Sequence, residues 1–250
     1  MFDARELSMV YPTPSGELLA LDSVSFSIER GDFVSLLGPS GCGKSTLLNL
    51  LGGLLTPTSG ELVIEGQPVL KPSRDVGMMF QTPVLFPWRT VLENVMLAVE
   101  VLGLDESEYR ERARTVLESV GLGGFADSYP RQLSGGMQQR AALSRVLVYE
   151  PKVLLLDEPF GALDEFTREA MNLELMRLWE QKKYSIVLVT HNIAEAVFMS
   201  KRVVVMTPRP GGIARIVDID LPIPRTLKVM QTKEYTDLIF EVRGILGIDR

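Results

Sequence analysis

The short apolar run Phe33-Val34-Ser35-Leu36-Leu37 stops at Gly38 and is followed by Pro39, Ser40, Gly41, Cys42, Gly43, Lys44, Ser45 and Thr46. No other stretch constrains the fold as tightly. Gly38 to Ser45 has the spacing G-x-x-x-x-G-K-[ST], and it falls between a predicted buried strand and a predicted helix over Ser45 to Leu51. Glycines let the backbone close round an anion, so that successive N–H groups and a helix N-terminus face it. Lys44 adds a charge for the β- and γ-phosphates of a nucleotide, and the Ser45 hydroxyl can ligate Mg²⁺. Cys42 reads as a small residue that the loop tolerates.

A loop of this kind needs a parallel sheet behind it, and the rest of the chain supplies the pattern. Val24, Phe26 and Ile28 alternate with Ser25, Ser27 and Glu29, which predicts a half-buried strand. Glu61 to Glu65 and Val76 to Phe80 read as further strands. From Val91 to Gly103, and from Glu106 to Val120, the period becomes helical, and two helices in succession predict an inserted helical segment. Alternation then resumes: strand 153–156, helix 165–181, strand 185–190, helix 193–199, strands 203–206 and 213–219, and a last helix 233–246. The expectation is an α/β fold with a mostly parallel core sheet.

A second chemical feature follows the strand Val153 to Leu156, which delivers Asp157 and Glu158 to its C-terminal edge. Ligands bind at that edge in open α/β sheets. Adjacent strand residues point to opposite sides, so the two carboxylates can differ in role: Asp157 toward Mg²⁺, Glu158 toward an attacking water. Taken without the phosphate loop, the pair reads equally as a helix-capping carboxylate. The string Leu133-Ser134-Gly135-Gly136-Met137-Gln138-Gln139-Arg140 precedes a helical run over Ala141 to Tyr149. Ser134 with its glycines makes a second helix-terminus anion site or an ordinary serine cap.

With that string standing between the two other motifs, the chain resembles the ATP-binding-cassette (ABC) ATPases over nearly its whole length. The resemblance implies a single nucleotide-binding domain over 1–250 of the P-loop NTPase, ABC type. Within it fall a core with an N-terminal antiparallel β-subdomain (1–82 and 150–220), an inserted α-helical subdomain (83–149) and a strand and helix tail (211–250). It implies ATP and Mg²⁺ as cofactors, with Gly38 to Thr46 on the phosphates, Tyr11 stacked on adenine, and Ser45, Gln81 and Asp157 at the metal. Glu158, Gln81 and His191 become the hydrolytic residues, and Asp164 the residue at the dimer seam. Ser134, Gly135, Gly136 and Gln138 become the signature that contacts ATP held by a partner chain. Methionine stands at 137 where the family more often has glutamine. The family logic implies a homodimer or pseudo-dimer closed on two ATP molecules.

The phrases LFPWRTVLENV, FGALDEFTRE and VVVMTPRPGGIARIVDIDLPIPR look like the importer ATPases of the nitrate, sulfonate and taurine group. That implies integral-membrane permease subunits docking near Leu85, Phe86 and Trp88, and a secreted substrate-binding protein. Plain packing is the alternative for those three side chains.

Composition narrows the classes further. The chain of 250 residues has one His and one Cys, which excludes an internal disulfide and a Cys/His zinc site. A net charge of −6 disfavours nucleic acid as a partner. Asp3, Arg5 and Glu6 occupy the start, where a signal peptide would be apolar, and the apolar run Leu47 to Leu55 is too short for a membrane span. The expectation is a cytoplasmic protein, peripheral on the membrane through permease subunits. Two other classes remain: a soluble cassette ATPase of DNA repair or translation, which would carry a coiled-coil insert or a second cassette, and a non-hydrolytic regulatory module, which Glu158 and His191 oppose.

Overall fold

The computed structural model describes residues 1–14 and 16–247; the last three residues of the expected 211–250 tail lie outside the described residues. In chain order the elements are β1 (Phe2–Thr13), β2 (Gly16–Ile28), β3 (Phe33–Leu37), α1 (Lys44–Leu51), β4 (Ser59–Ile64), β5 (Gln67–Pro68) and β6 (Val76–Met79). The helices α2 (Val91–Leu102), α3 (Glu106–Ser119) and α4 (Gly135–Leu147) follow, then β7 (Val153–Asp157) and α5 (Glu165–Lys182). The chain ends with β8 (Ser185–Val189), α6 (Ile193–Met199), β9 (Arg202–Met206), β10 (Ile213–Asp218) and α7 (Lys233–Leu246). Two compact units divide it: Met1–Ser73 with Met176–Arg250, and Arg74–Leu175.

In the first unit, β1 pairs antiparallel with both β2 (Phe2 opposite Ile28) and β4 (Phe2 opposite Ile64). The alternation read at Val24, Phe26 and Ile28 is realised: these three are buried, and the serines between them are exposed. β3 runs parallel to β8 on one side and β9 on the other, and β10 closes antiparallel on β9. Every residue of β3 and β8 is buried, which is why both read as continuous runs rather than alternating ones. The single polar residue of β3, Ser35, is matched by a hydroxyl bond to Ser200. Trp179 packs edge-on against Phe33, ring centroids 5.8 Å apart, and its indole N–H donates to Gly31 O.

The tail of this unit is tied to α6. Tyr235 on α7 donates its hydroxyl to Ala194 O at 3.0 Å, and burial pushes its pKa up to about 12. Arg225 is buried, and its Nη1 reaches the carbonyls of Val197, Phe198 and Ser200, where α6 ends and its last C=O groups lack helical partners. Burial pushes the pKa of this guanidinium down to about 10, so it stays charged at neutral pH.

In the second unit, β6 and β7 pair parallel, Val76 opposite Val153. Three helices separate these strands: the two expected in succession, and then α4 over the run expected before the acidic strand. Thr90 and Glu93 form a capping box at the start of α2, Asp105 caps α3, and Ser134 caps α4. α4 begins at Gly135, six residues ahead of the expected Ala141, because Ser134 accepts from Met137 N at 3.3 Å and offsets the poor helix propensity of two glycines. The helical core joins Val91, Val95 and Val99 of α2 to Leu117 of α3 and Ala141 of α4.

Arg225→Ala should lower the free energy of unfolding by about 2–3 kcal/mol, the scale of lost charge-assisted bonds to buried carbonyls. Urea denaturation measures this; an unchanged midpoint would show that the tail is not what caps α6.

Candidate functional site

The first unit holds the phosphate loop. β3 carries the chain outward to Gly38, and α1 starts at Lys44 behind an N-cap, Gly43, that has no side-chain cap. Gly43 sits at φ +101°, and a Cβ there would lie 2.6 Å from Leu21 Cδ2 and 3.0 Å from Ala20 O, so any other residue would be strained in this turn. The uncapped first turn of α1 leaves main-chain donors for an anion. Lys44 is buried beneath the loop, its Nζ donating to Gly38 O at 2.7 Å and Pro39 O at 3.0 Å. Cys42 is buried, with its sulfur 3.9 Å from that ammonium. The glycine cradle, the buried lysine and the uncapped helix start fit a nucleotide's phosphates.

The other residues of this unit that were expected at a nucleotide, Tyr11 and His191, lie near the loop. Tyr11, on β1, is half-buried, and its hydroxyl shares a 3.3 Å hydrogen bond with the Thr46 hydroxyl at the start of α1. His191 follows β8 and is exposed. Together with Gly38, Pro39 and Ser40 it lines a cavity of about 420 Å³, so the chain's one imidazole and its phosphate loop share a wall.

The second unit holds a carboxylate centre. Gln81 Nε2 donates to Glu158 Oε2 at 3.2 Å, joining residues 77 apart in the sequence. Glu158 has φ +44°, a left-handed conformation that costs a non-glycine residue about 1–3 kcal/mol and is concentrated at functional sites. Asp157 ends β7. An amide facing a strand-end carboxylate can orient a water whose proton the carboxylate accepts. Asp164 Oδ1 accepts from Thr167 N at 3.0 Å at the start of α5, and hydrogen bonds from the Thr167 hydroxyl and backbone hold its carboxyl below the usual range. Ser134 and Gly135 are exposed at the start of α4, whereas the Gln138 amide turns back onto Pro130 O at 3.0 Å and holds the preceding loop.

Between Gln81 and α2 the three expected docking residues divide. Leu85 packs against the helical core, while Phe86 and Trp88 stack with centroids 5.0 Å apart and Trp88 is 71% exposed. The side chains that hold this segment were missed in the sequence. Gln139 on α4 donates to Gln81 O at 2.7 Å. Arg145, further along α4, donates to Pro83 O and Val84 O, and Val84 is itself at φ +45°. Asn94 on α2 is fully buried; it accepts from Phe86 N at 2.7 Å and donates to the carbonyls of Phe86, Arg89 and Thr90. The available signal was an asparagine on the apolar face of Val91-Leu92-Glu93-Asn94-Val95-Met96, where a polar residue must have a partner.

Comparison with known proteins agrees with this geometry. A family model described as ABC transporter matches residues 21–161. The chain is 43% identical to the aliphatic sulfonates import ATP-binding protein SsuB of Bacillus cereus, over 94% of this chain and 96% of that protein. It is 44% identical to the nitrate import ATP-binding protein NrtD of Synechocystis sp. (strain ATCC 27184 / PCC 6803 / Kazusa), over 98% of this chain and 94% of that protein. Among solved structures it is similar to a dimeric post-hydrolysis state of the ATP-binding cassette MJ0796 bound to ADP and Pi. That likeness has a TM-score of 0.81 at 34% identity and covers 89% of this chain and 100% of that one.

Asn94→Ala would leave the Phe86 N–H buried without an acceptor and should cost about 1–3 kcal/mol of stability. Chemical denaturation with far-UV circular dichroism checks it, and wild-type stability would mean that the 86–90 turn holds itself.

Proposed function

Because the chain belongs to the ABC transporter family and is one of its ATPases, we propose that it is the ATP-hydrolysing subunit of an importer. It couples ATP binding and hydrolysis, in a head-to-tail dimer, to uptake of a small solute of the nitrate, sulfonate or taurine kind through a separate membrane permease. Among the described residues no helix is long and apolar enough to cross a membrane, which accords with a subunit working beside a permease.

The observation that most supports this reading lies within one unit of the structure. The glutamine that meets Glu158 at 3.2 Å also begins the segment in which the half-buried Phe86 stacks on the exposed Trp88. A group at the hydrolytic centre and a surface suited to an apolar partner helix therefore share one short stretch of backbone, held by Gln139, Arg145 and Asn94. An exposed tryptophan backed by a stacked ring is a typical anchor of protein interfaces.

In the proposed mechanism Lys44 and the main-chain donors of Gly38 to Thr46 bind and orient the phosphates, and Tyr11 supports the base. Ser45, with Asp157 and Gln81, supplies oxygen ligands of the hard kind that Mg²⁺ takes, and Mg²⁺ would neutralise charge on the transferred phosphoryl group. Glu158 accepts the proton of the attacking water, Gln81 orients that water, and His191 donates a hydrogen bond to the terminal phosphate. Ser134, Gly135 and Gly136 close on the nucleotide of the second chain, with Asp164 at the seam. Closure and reopening of the dimer would be the mechanical step. The protein would then work on the cytoplasmic face of the membrane.

Glu158→Gln should keep ATP binding and lower turnover by about 10²–10⁴-fold, the usual contribution of a general base. Phosphate release at saturating Mg-ATP reads this out, and unchanged turnover would remove Glu158 from the hydrolytic role. Trp88→Ala should reduce co-purification with the membrane subunits and spare nucleotide binding; equal loss of both would indicate a packing role instead.

A further inference from the structure

The turn between β9 and β10, residues 207–212, lies against the outer side of the phosphate loop. Arg209 donates from both Nε (3.1 Å) and Nη2 (3.0 Å) to one acceptor, the Gly41 carbonyl oxygen. The turn itself is anchored. Gly211 N donates to Ala20 O at 3.0 Å, Gly211 O accepts from Asp22 N at 2.9 Å, and Gly212 N donates to Thr207 Oγ1 at 2.8 Å. Contact with the loop is so close that a Cβ on Gly211 would lie 1.9 Å from Cys42 O.

The Gly41 carbonyl and the Cys42 N–H belong to one peptide unit and point in opposite directions. Gly41, at φ +75° and without a Cβ, sets no side-chain limit of its own on the ψ rotation that would turn this peptide. Rotated, it would aim a carbonyl dipole at the phosphates instead of an N–H. The Cys42 N–H now makes a long bond of 3.3 Å to Pro39 O, a weak partner that a phosphate oxygen can replace.

We propose that Arg209 is a positioning residue for nucleotide binding. It holds the Gly41–Cys42 peptide with its carbonyl outward and its N–H available to the anion, and it places a full positive charge one peptide away from the phosphates. The proposal rests on the reading of Gly38 to Thr46 as the ATP site. Both Arg209 and Gly41 are exposed, so the two bonds contribute little to folding, and their effect belongs to nucleotide affinity.

The test is Mg-ATP binding by calorimetry and steady-state ATPase kinetics on the full chain with Arg209→Ala, Arg209→Lys, Arg209→Gln and Lys44→Ala. Arg209→Ala should weaken ATP binding and raise KM about tenfold, the factor expected for loss of a charge-assisted pair, with kcat at saturation within about twofold. Arg209→Lys, which keeps the charge and one donor, should recover most of the affinity, and Arg209→Gln, with a donor but no charge, less. The melting temperature without nucleotide should match wild type in all three. Wild-type ATP affinity in Arg209→Ala overturns the proposal, as does a fall in kcat at unchanged KM. A loss of affinity that tracks a lowered melting temperature equally in the Ala and Lys variants would also overturn it, by making the role structural. Should the Ala variant fail to fold, the order of the Lys and Gln variants decides. If Lys44→Ala binds ATP normally, the loop assignment itself fails; if Lys44→Ala loses ATP and the Arg209 variants do not, only the clamp fails.

Discussion

A loop that binds phosphate with its main chain must leave N–H groups unpaired, yet the strand and helix that carry it must be buried and fully bonded. That conflict organises the first unit. β3 is buried along its whole length between β8 and β9, so the loop departs from a rigid base. Immediately afterwards the backbone is freed by glycine, and α1 begins with no side-chain cap. Neighbouring segments then hold the loop through its carbonyls: Lys44 takes Gly38 O and Pro39 O from beneath, and Arg209 takes Gly41 O from outside. Occupying these C=O groups turns them away from the space that the main-chain donors of the turn face.

The second unit solves the same problem for a different segment. Residues 81–90 have no regular structure of their own, and Val84 within the segment and Glu158 beside Gln81 both sit in left-handed conformations. Such a path persists only if other elements determine it. α4 supplies Gln139 and Arg145, and α2 supplies Asn94, each donating to main-chain carbonyls of the segment. The helix that starts at Ser134 therefore also sets the position of Gln81 and of the Phe86–Trp88 stack. A displacement of α4 would move both together within one packed unit.

Much of this was legible beforehand because it depends on local rules. Period-two and period-3.6 patterns located the strands and helices, and spacing singled out Lys44, Asp157, Glu158 and Ser134 as candidates for chemistry. Boundaries erred where a cap outweighed propensity, as at Ser134, which starts α4 six residues early. Leu85 was grouped with Phe86 and Trp88 by adjacency, but adjacency does not say which way a side chain points in an irregular segment, and Leu85 joins the helical core.

The sequence by itself determined that a buried strand leads into a glycine turn and a lysine at a helix start, the pattern an anion site needs, and that a second strand ends in two carboxylates. Spacing and polarity alone require as much. Only the tertiary structure decided that Gln81 meets Glu158 across 77 residues, that Asn94 and Gln139 bond backbone instead of solvent, and that Arg209 reaches the loop at Gly41, 168 residues away. The reason is that each of these is a bond to a carbonyl or carboxylate whose direction is set by distant packing, and a carbonyl leaves no mark on the residue types that carry it.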